Sequence, residues 1–191
     1  CSSGKEVIVI ESEDNFGKLT SSRNSGVIHA GIYYKENSLK SKFCVEGNRL
    51  LYDYCRINSI PFENTKKLLV ASSSDQIAII DKIKTNAEKN GVTGIKKVSG
   101  KEVKKIEPLI NCKEALLVPS SGIIDSAAYM RSIVGKIEDK GGILAFNSKL
   151  IKCLSKKDKF VLHISGQEET LIECKQLINS AGLFASEVAS K

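Results

Sequence analysis

The sequence predicts an α/β protein, α+β over its whole length, and two observations carry that. The run Glu6-Val7-Ile8-Val9-Ile10-Glu11 sets four apolar β-formers in a row and closes on a carboxylate. An unbroken apolar run of this length suits a strand buried on both faces, as in a parallel sheet. Downstream, segments of helical and strand periodicity alternate to the end, with no internal repeat and no low-complexity linker. The 191 residues suffice for one large or two small domains with a real core.

The elements follow in order. Ser38 is a suitable N-cap, and Leu39, Phe43, Glu46, Leu50, Tyr54 and Ile57 then recur near helical spacing to about Asn58, before Pro61. Residues 67–71 read as a strand. Ser74 or Asp75 can cap a helix carrying Ile77, Ile80, Ile83 and Ala87 that ends at Gly91. Residues 95–98 form a short strand, and Ser99 opens a brief basic helix stopped by Pro108. A strand at 115–118 leads through Pro119-Ser120-Ser121-Gly122 into Ile123-Ile124-Asp125. A helix over 126–140, with Tyr129, Ile133 and Ile137 on one face, ends at Gly141-Gly142. Strands at 143–146, 149–154, 159–164, 171–174 and 176–179 follow, the second and third joined at Lys156-Lys157-Asp158. The last runs into Ala181-Gly182 and the start of a helix.

The most informative segment is Ser21-Ser22-Arg23-Asn24-Ser25-Gly26-Val27-Ile28-His29-Ala30-Gly31. It is small, rich in hydroxyls and marked by two glycines, so its backbone N–H groups can come close to a pyrophosphate. The carboxylate closing the strand before it, Glu11, is what a dinucleotide fold uses to accept ribose hydroxyls. No G-x-G-x-x-G precedes that strand, since the sequence starts only a few residues upstream.

The string from Ser22 to Tyr34 resembles the FAD-dependent oxidoreductases of the D-amino-acid-oxidase superfamily, in particular the L-2-hydroxyglutarate oxidase/dehydrogenase branch. The likeness continues through Ser38-Leu39-Lys40, Cys44-Val45-Glu46-Gly47, Leu50 to Cys55, Lys67-Leu68-Leu69-Val70-Ala71 and Glu107-Pro108. It closes with Ser121-Gly122-Ile123-Ile124-Asp125 and Asn179-Ser180-Ala181-Gly182-Leu183. It implies an incomplete FAD-binding Rossmann-like domain from 1–57 and 119–191, with 58–118 beginning a mixed-sheet substrate domain. Family members begin with a strand and glycine-rich turn and continue well beyond the Asn-x-Ala-Gly-Leu segment. On that reading the chain is an internal fragment, inactive alone, of an enzyme that oxidises L-2-hydroxyglutarate to 2-oxoglutarate by hydride transfer to flavin. Oxygen or a membrane quinone would reoxidise the FAD. The protein would be cytoplasmic, and peripheral to the inner membrane where a quinone is the acceptor; a second chain could supply the missing segments.

The resemblance assigns roles residue by residue. Glu11 would hold the adenosine ribose; otherwise it is an exposed strand-end carboxylate. Ser21, Ser22, Arg23 and Asn24 match the loop along the pyrophosphate, and Gly26 would allow close backbone approach to the cofactor. Leu150 aligns with a position whose backbone meets the adenine, and Ala181-Gly182 with a second FAD-contacting turn at a helix N-terminus. His29 lies where the loop passes the isoalloxazine, as the base for the hydroxyl proton or as a flavin-positioning residue; otherwise it is a structural histidine, as a lone one more often is. Tyr33, Tyr34 and Lys40 could reach a substrate carboxylate or could pack beside the helix. Asp125 reads as an N-cap rather than a ligand. His163, in the hairpin, reads as structural.

Composition excludes other classes. Hydrophobic content of 41% and charged content of 27% are those of an ordinary globular chain, and no apolar run approaches the ~20 residues of a membrane span. The net charge of +7 comes from 25 dispersed lysines against 4 arginines, which argues for a solvated basic surface over a nucleic-acid site. Such a field favours a dicarboxylate. The six cysteines show no C-x-x-C pairing and no metal spacing, so they read as reduced thiols. Rival readings are a non-catalytic product of a split or decaying gene, and a relative acting on glycerol 3-phosphate or a secondary amine.

Overall fold

The computed structural model describes residues 4–191. Its elements in chain order are β1 (Ile8–Ile10), β2 (Val27–Ile28), α1 (Leu39–Ile57), β3 (Phe62–Glu63), β4 (Lys67–Ala71), α2 (Ser74–Lys89), β5 (Lys96–Ser99) and α3 (Gly100–Ile106). They continue with β6 (Glu114–Val118), β7 (Gly122–Ile124), α4 (Ser126–Asp139), β8 (Ile143–Ala145), β9 (Lys149–Lys156), β10 (Lys159–Ser165), β11 (Thr170–Cys174) and α5 (Ala185–Ala189). Two 3₁₀ turns stand at Thr20–Ser22 and Gly182–Phe184. The mixed helix-and-sheet class expected from the sequence is the class observed. The residues fall into two compact units, 4–24 with Met130–Lys191, and Ser25–Tyr129. No helix among the described residues is long and apolar enough to cross a membrane.

In the first unit β1 pairs parallel with β8, Ile8 opposite Ile143. Two further bonds extend the ladder, Ile143 N–H to Val7 O and Glu11 N–H to Ala145 O, both 2.9 Å. The strand expected at 6–11 is thus three residues long, and the burial expected on both faces is not found: Ile8 is 42% and Val9 38% exposed. Among the described residues β1 has one neighbouring strand, too little sheet to be covered on both sides. An antiparallel meander β9-β10-β11 supplies this unit's core from Val161, Leu162 and Ile164. The strand expected at 176–179 does not form. No described strand pairs with it, and the β-propensity of Leu177 and Ile178 does not replace a partner.

The second unit holds two antiparallel sheets of three strands, β2-β7-β3 and β4-β6-β5. Its core joins Ala30, Ile32, Ala87, Val92, Ile95, Leu116 and Val118, with Val45, Leu69 and Ile83 packed against them. The apolar spacing read for α2 is the face that packs: Ile80 and Ala87 are buried, and Ile83 borders the core. Its N-cap is Ser73, not Ser74 or Asp75, because Gln76 Oε1 reaches back to the N–H groups of Ser72 (2.8 Å) and Ser73 (3.3 Å). α1 forms as expected, with the Ser38 hydroxyl accepting from Ser41 N–H at 3.1 Å. Its buried residues are Ser41, Tyr52 and Cys55, while Leu39, Phe43, Leu50 and Ile57 are exposed. α4 is capped as expected, Ala128 N–H donating to Asp125 Oδ1 at 2.8 Å.

Candidate functional site

The residues assigned to the adenosine side lie mostly in the first unit. Glu11 is fixed at the carboxyl end of β1 by its own backbone, with N–H on Ala145 O and C=O accepting from Ser148 N–H, both 2.9 Å. The carboxylate is half-buried. Oε1 accepts from Glu13 N–H (3.0 Å) and Ser12 Oγ (3.2 Å), and among the described residues Oε2 has no donor. One oxygen is therefore anchored locally and the other is left to accept a ligand hydroxyl.

The loop beyond it folds as a 3₁₀ turn. Ser22 donates from both N–H and Oγ to Leu19 O (3.1 and 3.0 Å), Arg23 N–H reaches Thr20 O (3.0 Å), and Asn24 Nδ2 reaches Ser21 O (2.7 Å). Ser21 and Arg23 are exposed, and Arg23 pairs with no carboxylate among the described residues. An anchored carboxylate with a vacant oxygen, and a tight turn showing a hydroxyl and an unpaired guanidinium, are a donor and acceptor set that suits a ribose and a phosphate. FAD fits these residues. Leu150 lies in β9 opposite Ile164. Ala181 and Gly182 sit at the second 3₁₀ turn, where Asn179 Oδ1 accepts from Ala181 N–H (3.2 Å) and Asn179 Nδ2 donates to Ala185 O (2.8 Å).

In the second unit Gly26 adopts φ +65°, and a Cβ there would stand 2.8 Å from Ile124 O. The close approach visible at this glycine is to the β7 backbone, whose Ile124 N–H donates to Gly26 O at 2.8 Å. β2 then alternates into the following residues: Ile28 and Ala30 are buried and His29 between them is exposed. At Gly31, φ +88° turns the chain, and a Cβ would meet Val45 Cγ2 at 2.8 Å. Ile32 is buried beyond the turn and Tyr33 comes out 56% exposed.

Three asparagines hold this loop by its carbonyls. Asn48 Nδ2 of α1 donates to His29 O at 3.0 Å and to Ser120 O at 2.8 Å. Asn86 Nδ2 of α2 donates to Ile32 O (3.0 Å) and Tyr34 O (2.9 Å), and Asn90 Nδ2 to Tyr34 O (2.8 Å) and Gly31 O (3.3 Å). The side chains of His29 and Tyr33 are thus presented from a pinned backbone. None of the three amides was singled out from the sequence; Asn86 and Asn90, four apart on one helix, are the pattern that could have revealed them.

Lys67, the first residue of β4, was likewise missed as a site residue. Its Nζ lies 6.0 Å from the centroid of the Tyr33 ring. The His29 imidazole, exposed by overall area yet partly desolvated, titrates below the ordinary imidazole range, first through that desolvation and then through the Lys67 charge. Lys67 is thus a neighbour of the Tyr33 ring, and its charge reaches His29. Lys40 is placed elsewhere, its Nζ 5.0 Å from the Tyr34 ring centroid. Tyr34 hydrogen-bonds Cys44, whose thiol is pushed up by burial and also reaches His29 O at 3.6 Å. A concavity of about 540 Å³ in this unit is lined by residues that include Asn48, Arg49, Asn90 and Ser120, and not by His29 or Lys67.

Comparison with known proteins follows the same line. A family model described as FAD dependent oxidoreductase matches residues 2–191. The mitochondrial L-2-hydroxyglutarate dehydrogenase of Arabidopsis thaliana is 33% identical over 98% of this chain and 45% of its own length. The corresponding Dictyostelium discoideum protein is 39% identical over 82% of this chain and 37% of its own. The chain thus spans less than half the length of these curated relatives. Among solved structures, the dithionite-reduced L-α-glycerophosphate oxidase of Mycoplasma pneumoniae with FAD bound superposes with a TM-score of 0.83 at 20% identity, covering 91% of this chain and 47% of that one. The glycine oxidase of Geobacillus kaustophilus gives 0.81 at 14% identity, over 97% and 51% of the two chains. At such identities the likeness is one of fold.

Proposed function

The chain belongs to the FAD-dependent oxidoreductases, and from that premise we propose that it is part of an enzyme oxidising L-2-hydroxyglutarate to 2-oxoglutarate. Residues 1–57 and 119–191 make the cofactor-binding part on this reading, and 58–118 begin the substrate part. Glu11, Ser21, Ser22, Arg23, Asn24, Gly26, Leu150, Ala181 and Gly182 hold the cofactor. Bound FAD supplies the acceptor for the C2 hydride. Electrons leave to oxygen or a quinone at a membrane surface, and a second chain is one source of the remaining length.

The observation that best supports the reading is the state of His29. Oxidising a secondary alcohol needs a base for the hydroxyl proton, and an imidazole held below its usual range is neutral at pH 7 and ready to accept one. The amide of Asn48 holds the backbone that carries it.

The test is anaerobic stopped-flow reduction in a flavin-loaded protein completed to the relatives' length. His29→Ala is expected to slow flavin reduction by L-2-hydroxyglutarate about 10²–10⁴-fold with flavin content unchanged. An unaltered rate would make His29 a packing residue. Loss of the flavin itself would make it a cofactor-positioning one.

A further inference from the structure

In a 2-hydroxy acid the carboxylate and the reacting hydroxyl sit on adjacent carbons. A cation that takes the carboxylate must therefore stand beside the base that takes the hydroxyl proton. Lys67 stands in that neighbourhood: its ammonium lies over the Tyr33 ring, 6.0 Å from the centroid. The N–H of Lys66 before it donates to Ser121 O at 2.9 Å, next to Gly122, which pairs with Ile28, the residue before His29. The Lys67 charge also reaches His29. It is half-buried and forms no ion pair among the described residues. Lys97 in the same sheet shows the usual arrangement, held by Asp81 at 2.9 Å and Glu114 at 2.8 Å. A half-buried lysine with no carboxylate partner is free to take one from a ligand. Lys40, the lysine that the sequence suggested, is engaged with the Tyr34 ring instead.

We propose that Lys67 receives the substrate carboxylate at the His29 site, with the face of Tyr33 beneath its ammonium. This rests on the 2-hydroxy-acid reading above and adds to it the residue that orients the acid. A carboxylate on Lys67 brings the C2 hydroxyl to His29 and offsets the positive charge that holds the imidazole down. Tyr33 adds a cation–π contact and limits where the ammonium can go.

The experiment uses the chain itself, carrying His163→Gln so that His29 is the single histidine. The redox-inert 2-oxoglutarate is titrated in while the His29 ring resonances are followed by NMR. A saturable shift is expected; Lys67→Gln should weaken it roughly tenfold or more, as for a lost charge-assisted bond. Lys67→Arg should retain most of it and Lys40→Gln should leave it unchanged. Lys67→Met replaces the Gln variant if that one melts early. Equal binding by wild type and both neutral variants overturns the assignment of Lys67 while leaving the 2-hydroxy-acid reading intact, and so does a loss confined to Lys40→Gln. A Lys67-dependent response to glycerol 3-phosphate with none to 2-oxoglutarate keeps the anion site and refutes the substrate. No saturable response to either probe overturns the inference.

Discussion

Glu11 and Asp125 are both carboxylates at the end of a strand, yet their surroundings give them different work. Asp125 spends Oδ1 on the α4 N-terminus, while Glu11 keeps Oε2 without a donor among the described residues. In the completed, flavin-loaded protein Glu11→Ala should therefore lower FAD retention far more than Asp125→Ala, which removes a cap worth about 1 kcal/mol. Flavin absorbance after gel filtration measures it, and equal loss from both variants would refute the ribose assignment. The cap at Asp125 was legible in the sequence because it depends only on that residue's nearest neighbours. Lys67 was not legible as a site residue. Its meaning comes from His29 and Tyr33, more than thirty positions away, which no local pattern connects to it.

At the scale of elements, the loop from His29 to Tyr34 is held chiefly by α1 and α2, not by its own sequence. Asn86→Ala would strip two carbonyls, Ile32 O and Tyr34 O, of a donor each. The expected cost is about 1–3 kcal/mol in denaturant unfolding, with faster amide exchange at Tyr33 and Tyr34. Unchanged stability would mean that solvent replaces the amide. Helices were read well where caps and periodicity coincide, as at Ser38, Ser99 and Asp125. Which face α1 buries was not: the repeating Leu39, Phe43, Leu50 and Ile57 look outward, because Ser41, Tyr52 and Cys55 occupy the inner side. The strands β2, β3 and β7 have two or three residues each, too few for an alternation, and exist only as partners of one another.

Over the whole molecule, that outward row on α1 sets four exposed apolar side chains along one face over about 27 Å. The chain on its own should bind an apolar dye such as anilinonaphthalene sulfonate and scatter more light as concentration rises. Phe43→Ser with Ile57→Ser should reduce both while moving the melting curve little, since neither side chain supports the core. Dye binding that ignores these changes would place the exposed apolar surface elsewhere, for example on Ile178 and Leu183. The asparagine clamp has one more consequence, and it concerns heredity. Two of its three amides, Asn86 and Asn90, sit in the 58–118 segment, while the loop they pin sits in 1–57. Genes recombine by segments, so a cassette covering 58–118 could be exchanged among relatives with its sheet intact and still cripple its host. Such an exchange keeps the loop's side-chain donors only when the incoming helix brings an amide to both positions.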